Sequence, residues 1–180
     1  MTLKRSFPPI VDERTRLLIL GSLPGEVSLA HGQYYAHPLN QFWSLVGAVI
    51  GVDLRALAYP ERLRTLIAHR IGLWDVVAEA RREGSLDGNI RDHAPNDLAA
   101  LVTTLPELRA IAFNGGVSAR IGQRQLRALA SPPALVPLPS SSPAFTRRFE
   151  EKRAEWLRLR FYLGEGAALG PPDSAGVAKP

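Results

Sequence analysis

Short apolar runs alternate along this chain with amphipathic stretches of helical period, and four of the runs end in turns of unusual composition. That alternation constrains the fold most strongly, because a strand–helix–strand order favours parallel strands with helices on both faces of the sheet. Residues 16–21 read as a buried strand running into Gly21-Ser22-Leu23-Pro24-Gly25. Residues 40–50 carry Phe42, Trp43, Val46, Val49 and Ile50 at helical spacing, with Gly51 as the stop. A helix over 60–70, a strand over 71–77 ending near Trp74-Asp75, a polar excursion over 79–94 and a helix over 95–105 follow. Residues 109–113 make a third strand, stopped by Asn114-Gly115-Gly116 at the head of a helix reaching residue 129. Residues 134–138 make a fourth, followed by Pro139-Ser140-Ser141-Ser142-Pro143 and a long helix with Phe145, Phe149 and Trp156 on one stripe. The expected fold class is α/β: a single three-layer α/β/α domain over residues 1–163 with a central, mostly parallel four-stranded sheet. Residues 164–180 are rich in Gly, Ala and Pro, show no periodicity and read as a disordered tail.

Composition narrows the chemistry. With 180 residues and 46% hydrophobic content the chain can bury one good core, and it is too short for two ordinary domains. It has no cysteine, so disulfides, thiolate catalysis, iron–sulfur clusters and Cys-ligated zinc are excluded. A zinc-dependent nucleobase deaminase, which needs a Pro-Cys-x-x-Cys element, goes with them. The four histidines, His31, His37, His69 and His93, are dispersed, and no metal or cofactor is expected. Apolar runs are too short to cross a bilayer and residues 1–14 hold no export signal, so a cytoplasmic protein is expected, acting as a monomer. A net charge of +5 leans toward a polyanionic partner, although most of the arginines alternate with acidic residues as on any solvated helix.

In parallel α/β folds, ligands bind beyond the carboxyl ends of the strands, where all four unusual turns fall. Neither the dinucleotide nor the nucleoside-triphosphate fingerprint is present, and no lysine occupies these turns. Ser140, Ser141 and Ser142 lack the nucleophile elbow of a serine hydrolase; hydroxyls and N–H groups at a helix head suit a phosphate, or simply cap the helix. Asn40 stands where an ordinary N-cap would. Tyr34 and Tyr35 have a plain reading as loop anchors, His37 as a structural histidine, and Asp75 and Asn114 as strand-end residues, unless the last two read the edge of a bound base.

Three motifs in order, Gly21-Ser22-Leu23-Pro24-Gly25, Tyr35-Ala36-His37-Pro38-Leu39-Asn40-Gln41-Phe42-Trp43 and Leu138-Pro139-Ser140-Ser141-Ser142-Pro143-Ala144, resemble the uracil-DNA glycosylase superfamily, and most of all its hypoxanthine-DNA glycosylases. The resemblance spans residues 16–161. It implies a monofunctional enzyme that flips a deaminated base, hypoxanthine first and uracil second, out of DNA and leaves an abasic site. It implies that Asn40 is the catalytic residue and that Tyr35 stacks on the flipped base. It also implies that the Ser140-Ser141-Ser142-Pro143 loop grips the strand. Arg147 lies close by, and Ala144 and Phe145 stand at the wedge positions. Relatives of the mismatch-specific type hold an Asn where this chain has Leu23, so the usual water-positioning group is missing from the first turn. Two other readings remain open: a damage-binding module with little catalysis, and an unrelated doubly wound enzyme acting on a small nucleoside.

Overall fold

A computed structural model describes residues 2–164. The tail expected over 164–180 therefore lies outside the described residues but for Gly164. In chain order the elements are β1 (Thr2–Arg5), β2 (Leu17–Gly21), α1 (Glu26–His31), α2 (Phe42–Ile50), α3 (Tyr59–Ala68), β3 (Ile71–Asp75), β4 (Val77–Arg82), β5 (Arg91–Pro95), α4 (Leu98–Thr103), β6 (Ala110–Asn114), α5 (Gly116–Leu126), β7 (Ala134–Leu138), α6 (Phe149–Trp156) and α7 (Arg160–Leu163). The central sheet runs β3-β2-β6-β7, and every pair in it is parallel.

β2 lies at the heart of this sheet, and all five of its residues are buried. Side chains alternate across a strand, so Leu17 and Ile19 join one apolar cluster while Leu18 and Leu20 join another. The first cluster takes Phe42 and Val46 of α2, Leu66 of α3 and Trp156 of α6. The second takes Leu98 of α4 with Ala119 and Leu126 of α5. Each large side chain so buried stabilises the fold by about 1.5–3 kcal/mol, and this two-sided burial is why the run carries no polar residue. The connection leaving β2 covers one face and that leaving β6 the other, which opens a crevice between the carboxyl ends of these adjacent strands.

Several expectations are corrected. The polar excursion over 79–94 is a hairpin: β4 pairs antiparallel with β1 and β5 in a second sheet of order β1-β4-β5. The run over 71–77 is not one strand, because the chain leaves the parallel sheet at Val76, whose N–H donates to Gly21 O at 2.9 Å, and Val77 opens β4. Helix α6 starts at Phe149, so Phe145 falls outside its stripe and stands 44% exposed in the preceding loop. Buried Trp156 ties that loop to the core, its Nε1 donating to Pro139 O at 3.0 Å.

Candidate active site

All four turns meet in one cavity of about 590 Å³ at the carboxyl ends of the central strands. Gly21, Ser22, Leu23, Pro24 and Gly25, with Tyr35, His37 and Asn40, line it from one side; Asp75 and Asn114 come from the ends of β3 and β6, and Ser140 to Phe145 close the other side. Of the residues picked out in the sequence, only Arg147 is not part of the lining. It pairs instead with Glu151 at 3.3 Å and Glu155 at 2.7 Å on α6, exposed contacts of the kind a phosphate can displace.

Gly21 lets the floor form. A Cβ there would sit 2.6 Å from Asp75 Oδ1 and 3.0 Å from the Tyr35 hydroxyl, so only glycine allows both groups so close to β2. Tyr35 holds a left-handed φ of 54°, rare for a bulky residue, and its ring stacks on Phe42 with centroids 3.7 Å apart. Among the described residues its buried hydroxyl has no hydrogen-bond partner, and neither has Oδ2 of Asp75, which is 3% exposed. Burial, reinforced by the neighbouring Asp87 carboxylate and opposed by Arg82, pushes the Asp75 carboxyl up to about 8. Burial first, and Asp75 second, hold the Tyr35 phenol far above its ordinary range. The floor thus presents two neutral, unpaired polar groups.

Asn40 sits on a turn in which its N–H donates to His37 O at 2.9 Å. Its Oδ1 accepts the Phe42 N–H at 3.0 Å, so the side chain does cap α2, from one residue ahead of the backbone cap Gln41. An amide oxygen has two lone pairs, so this bond fixes the rotamer and leaves one lone pair for a further donor.

Asn114 and Ser141 are paired reciprocally: Asn114 Nδ2 donates to Ser141 Oγ at 2.8 Å and Ser141 N–H donates to Asn114 Oδ1 at 2.8 Å. Ser141 O in turn accepts the Gln41 N–H at 3.0 Å, which ties the loop ahead of α2 to the loops after β6 and β7. Ser141 is 1% exposed and turned inward by these bonds, while it still lines the cavity beside Ser140 and Ser142. Ser140 and Ser142 are half-buried, and their hydroxyls accept backbone N–H groups of Ser142 and Ala144, leaving each O–H free to donate. Gly115, at φ 100°, brings Ser140 close against β6, where a Cβ would meet the serine Cβ at 3.2 Å.

Three residues escaped the sequence reading. Arg82 is fully buried, donating to Leu23 O and Gly84 O at 3.1 Å each and to Pro24 O, so one guanidinium clamps the first turn onto the hairpin. Asp87, at the hairpin tip, accepts from Ser22 Oγ at 2.6 Å and lines the cavity. Lys152 of α6 is buried under the serine loop, with Nζ 3.4 Å from Ser142 O and 5.4 Å from the Phe145 ring centroid. Arg82 and Lys152 lie among alternating charges, which read as solvated surface. The hairpin tip, Gly84-Ser85-Leu86-Asp87-Gly88, announces a turn, but nothing local shows that it reaches the cleft. Among the described residues no cluster of three His, Asp or Glu side chains could hold a metal, and no helix is long and apolar enough to cross a membrane.

Comparison with known proteins agrees with this architecture. The family model of the Uracil DNA glycosylase superfamily matches residues 8–163. A hypoxanthine DNA glycosylase of Methanosarcina barkeri is 42% identical over 85% of this chain and 95% of its own length. One of Methanosarcina acetivorans is 44% identical over 86% and 96%. A solution NMR structure of a candidate uracil DNA glycosylase from Methanosarcina acetivorans superposes with a TM-score of 0.81 at 42% identity, covering 90% of this chain and 99% of that one. By its sequence profile, its curated relatives and its fold, the chain belongs to the uracil DNA glycosylase superfamily.

Proposed function

We propose that this chain is a monofunctional DNA glycosylase that takes hypoxanthine, and secondarily uracil, out of damaged duplex DNA and hydrolyses its N-glycosidic bond. It does so as a cytoplasmic monomer without metal or cofactor. The observation that carries the reading is the cavity floor, where the neutral Asp75 carboxyl and the Tyr35 hydroxyl lie buried and unpartnered. Unsatisfied buried polar groups are costly, and a base edge offering donors and acceptors relieves that cost.

A base inside duplex cannot be reached at its glycosidic carbon, so the nucleotide must leave the stack at a cost of a few kcal/mol. The O–H groups of Ser140 and Ser142 grip the flanking phosphates and offset part of that cost. With Phe42 against one face of Tyr35, the other face is the one available to the flipped base. Asp75, as a neutral carboxyl, donates to an acceptor on the base and steadies the negative charge that grows there as the bond breaks. Asn114 positions the serine loop, and we leave the base edge to Asp75. Asn40 orients water through its remaining lone pair toward the sugar. An abasic site on an intact strand is the expected product.

The base is tested on duplexes carrying hypoxanthine, uracil or xanthine, with a chelator present throughout. Hypoxanthine should be released fastest, and release of uracil alone would contradict the assignment. Asp75 adds a pH dependence. In the unfolded chain this carboxyl ionises near pH 4, roughly its ordinary value, whereas in the fold it stays neutral up to about 8. A raised folded value means stability is full below the unfolded value and declines as pH climbs to the folded one. The melting temperature should thus fall between pH 4 and about 8, and the rate should decline above about 8, while Asp75→Asn flattens both trends. A wild-type rate that stays level well past that pH would remove the neutral carboxyl from the account.

A further inference from the structure

Hydrolysis needs somewhere for the water's proton to go, and an amide such as that of Asn40 can orient water but takes up no proton. Leu23, at the centre of the first turn, is apolar and 5% exposed, so it offers nothing. Among the described residues three carboxylates line the cavity: Glu26, Asp75 and Asp87. Glu26 is held 2.8 Å from Lys4 Nζ, an ion pair that lowers its basicity, and Asp75 is neutral near pH 7. Asp87 differs from both. Its Oδ1 accepts the Ser22 hydroxyl at 2.6 Å, the Arg82 guanidinium stands 3.9 Å from the same oxygen, and Oδ2 accepts no hydrogen bond among the described residues. The side chain is 35% exposed, open enough for a water and yet fixed by Ser22, which belongs to the turn at the end of β2.

We propose that Asp87, delivered by the β4–β5 hairpin, is a catalytic carboxylate that orients the nucleophilic water and takes its proton, supplying across the cleft the polar group that Leu23 lacks. This rests on the glycosylase reading above. The water oxygen bonds to C1′ as the C1′–N bond breaks, and that bond's electron pair leaves on the base. One proton of the water passes to Asp87 Oδ2, and the departing base takes a proton from solvent. Asp87 then returns its proton to solvent, so water and nucleotide become an abasic sugar and a free base with no further reactant. The hairpin is built to hold the carboxylate still: Ser85 Oγ accepts the Glu26 N–H at 2.9 Å on one side of the tip, and buried Arg82 anchors it from below. Among the described residues the charged and titratable groups around Asp87 are Arg82 on β4, Asp75 on β3, Tyr35 in the loop ahead of α2, and the Glu26–Lys4 pair of α1 and β1.

The test is Asp87→Asn, which keeps an oxygen for the Ser22 hydroxyl and removes the proton acceptor together with its charge. On a hypoxanthine duplex the single-turnover rate should fall on the order of 100-fold, with affinity for an uncleavable 2′-fluoro duplex changed less than about threefold. The wild-type pH–rate profile should show an acid limb lying above the ordinary carboxylate range, because burial raises the Asp87 carboxyl; this limb should vanish in the variant. A variant within about threefold of the wild-type rate overturns the proposal. So does a variant that loses rate and DNA affinity together while keeping the acid limb, which would make Asp87 only a strut of the hairpin. Independently of any variant, a wild-type rate level from pH 7 down through the carboxylate range overturns it. Release of hypoxanthine by the wild-type protein keeps the glycosylase reading standing in each of these cases; no release by wild type ends both.

Discussion

Asn40→Ala should lower the single-turnover rate on hypoxanthine-containing duplex by a factor on the order of 100 or more, the scale of losing one well-placed transition-state partner. The reason lies in how the side chain is held. Its Oδ1 is already bound to the Phe42 N–H at 3.0 Å, so the amide enters the cavity in one orientation. A group preorganised in this way pays no reorganisation when charge develops on the sugar, and it acts mainly in the transition state, so DNA affinity should change little. The same bond is a helix cap, and Asn40→Ala should also cost about 1 kcal/mol of stability. The two roles separate in Asn40→Ser, whose hydroxyl restores the cap but cannot reach the water. Melting temperature should recover in the Ser variant while the rate stays low; full recovery of both would reduce Asn40 to a cap.

Gly21→Ala should be as damaging for a different reason. The new methyl would meet Asp75 Oδ1 at 2.6 Å and the Tyr35 hydroxyl at 3.0 Å, and neither can readily yield. Asp75 ends a strand paired to β2 through Gly21 itself, and Tyr35 is pinned by its stack on Phe42 and its left-handed backbone. Overpacking of this kind costs about 1–3 kcal/mol, which lowers the melting temperature by roughly 2–12 °C in a chain of this size. The methyl also occupies the place where the base edge must sit, so the rate should fall on the order of 100-fold even well below the melting temperature. A variant that is destabilised but fully active would show that the base does not reach the floor.

Sequence pattern reveals the central sheet because burial on both faces demands unbroken apolar runs, as residues 17–20 and 110–113 show. The second sheet leaves no such trace. β5 is exposed throughout, with Arg91, Asp92 and His93 in succession, and β4 alternates irregularly around a bulged register. Arg82 looks like surface in the sequence and is buried only because carbonyl oxygens of two separate turns converge on it. At the site, the residues on the four turns are legible and do converge, since strand ends carry them there. Their division of labour is not. Asn114 and Ser141 look like ligands in a list of polar loop residues, and only the fold shows them bound to each other. Asp87 sits 65 residues from Ser22 along the chain, and no local spacing could join them.

Hydrolysis in this cavity of the bond between a flipped, deaminated base and its sugar is tested most directly by following both products of one reaction. A duplex with a single hypoxanthine and one end-labelled strand is incubated with excess wild-type protein and divided. One part is chromatographed for free base; the other is resolved on a denaturing gel before and after alkali. Free hypoxanthine should appear in amounts matching the alkali-sensitive sites, with the labelled strand intact until alkali is added. Binding of the duplex with no free base, or strand scission without alkali, would contradict the glycosylase reading.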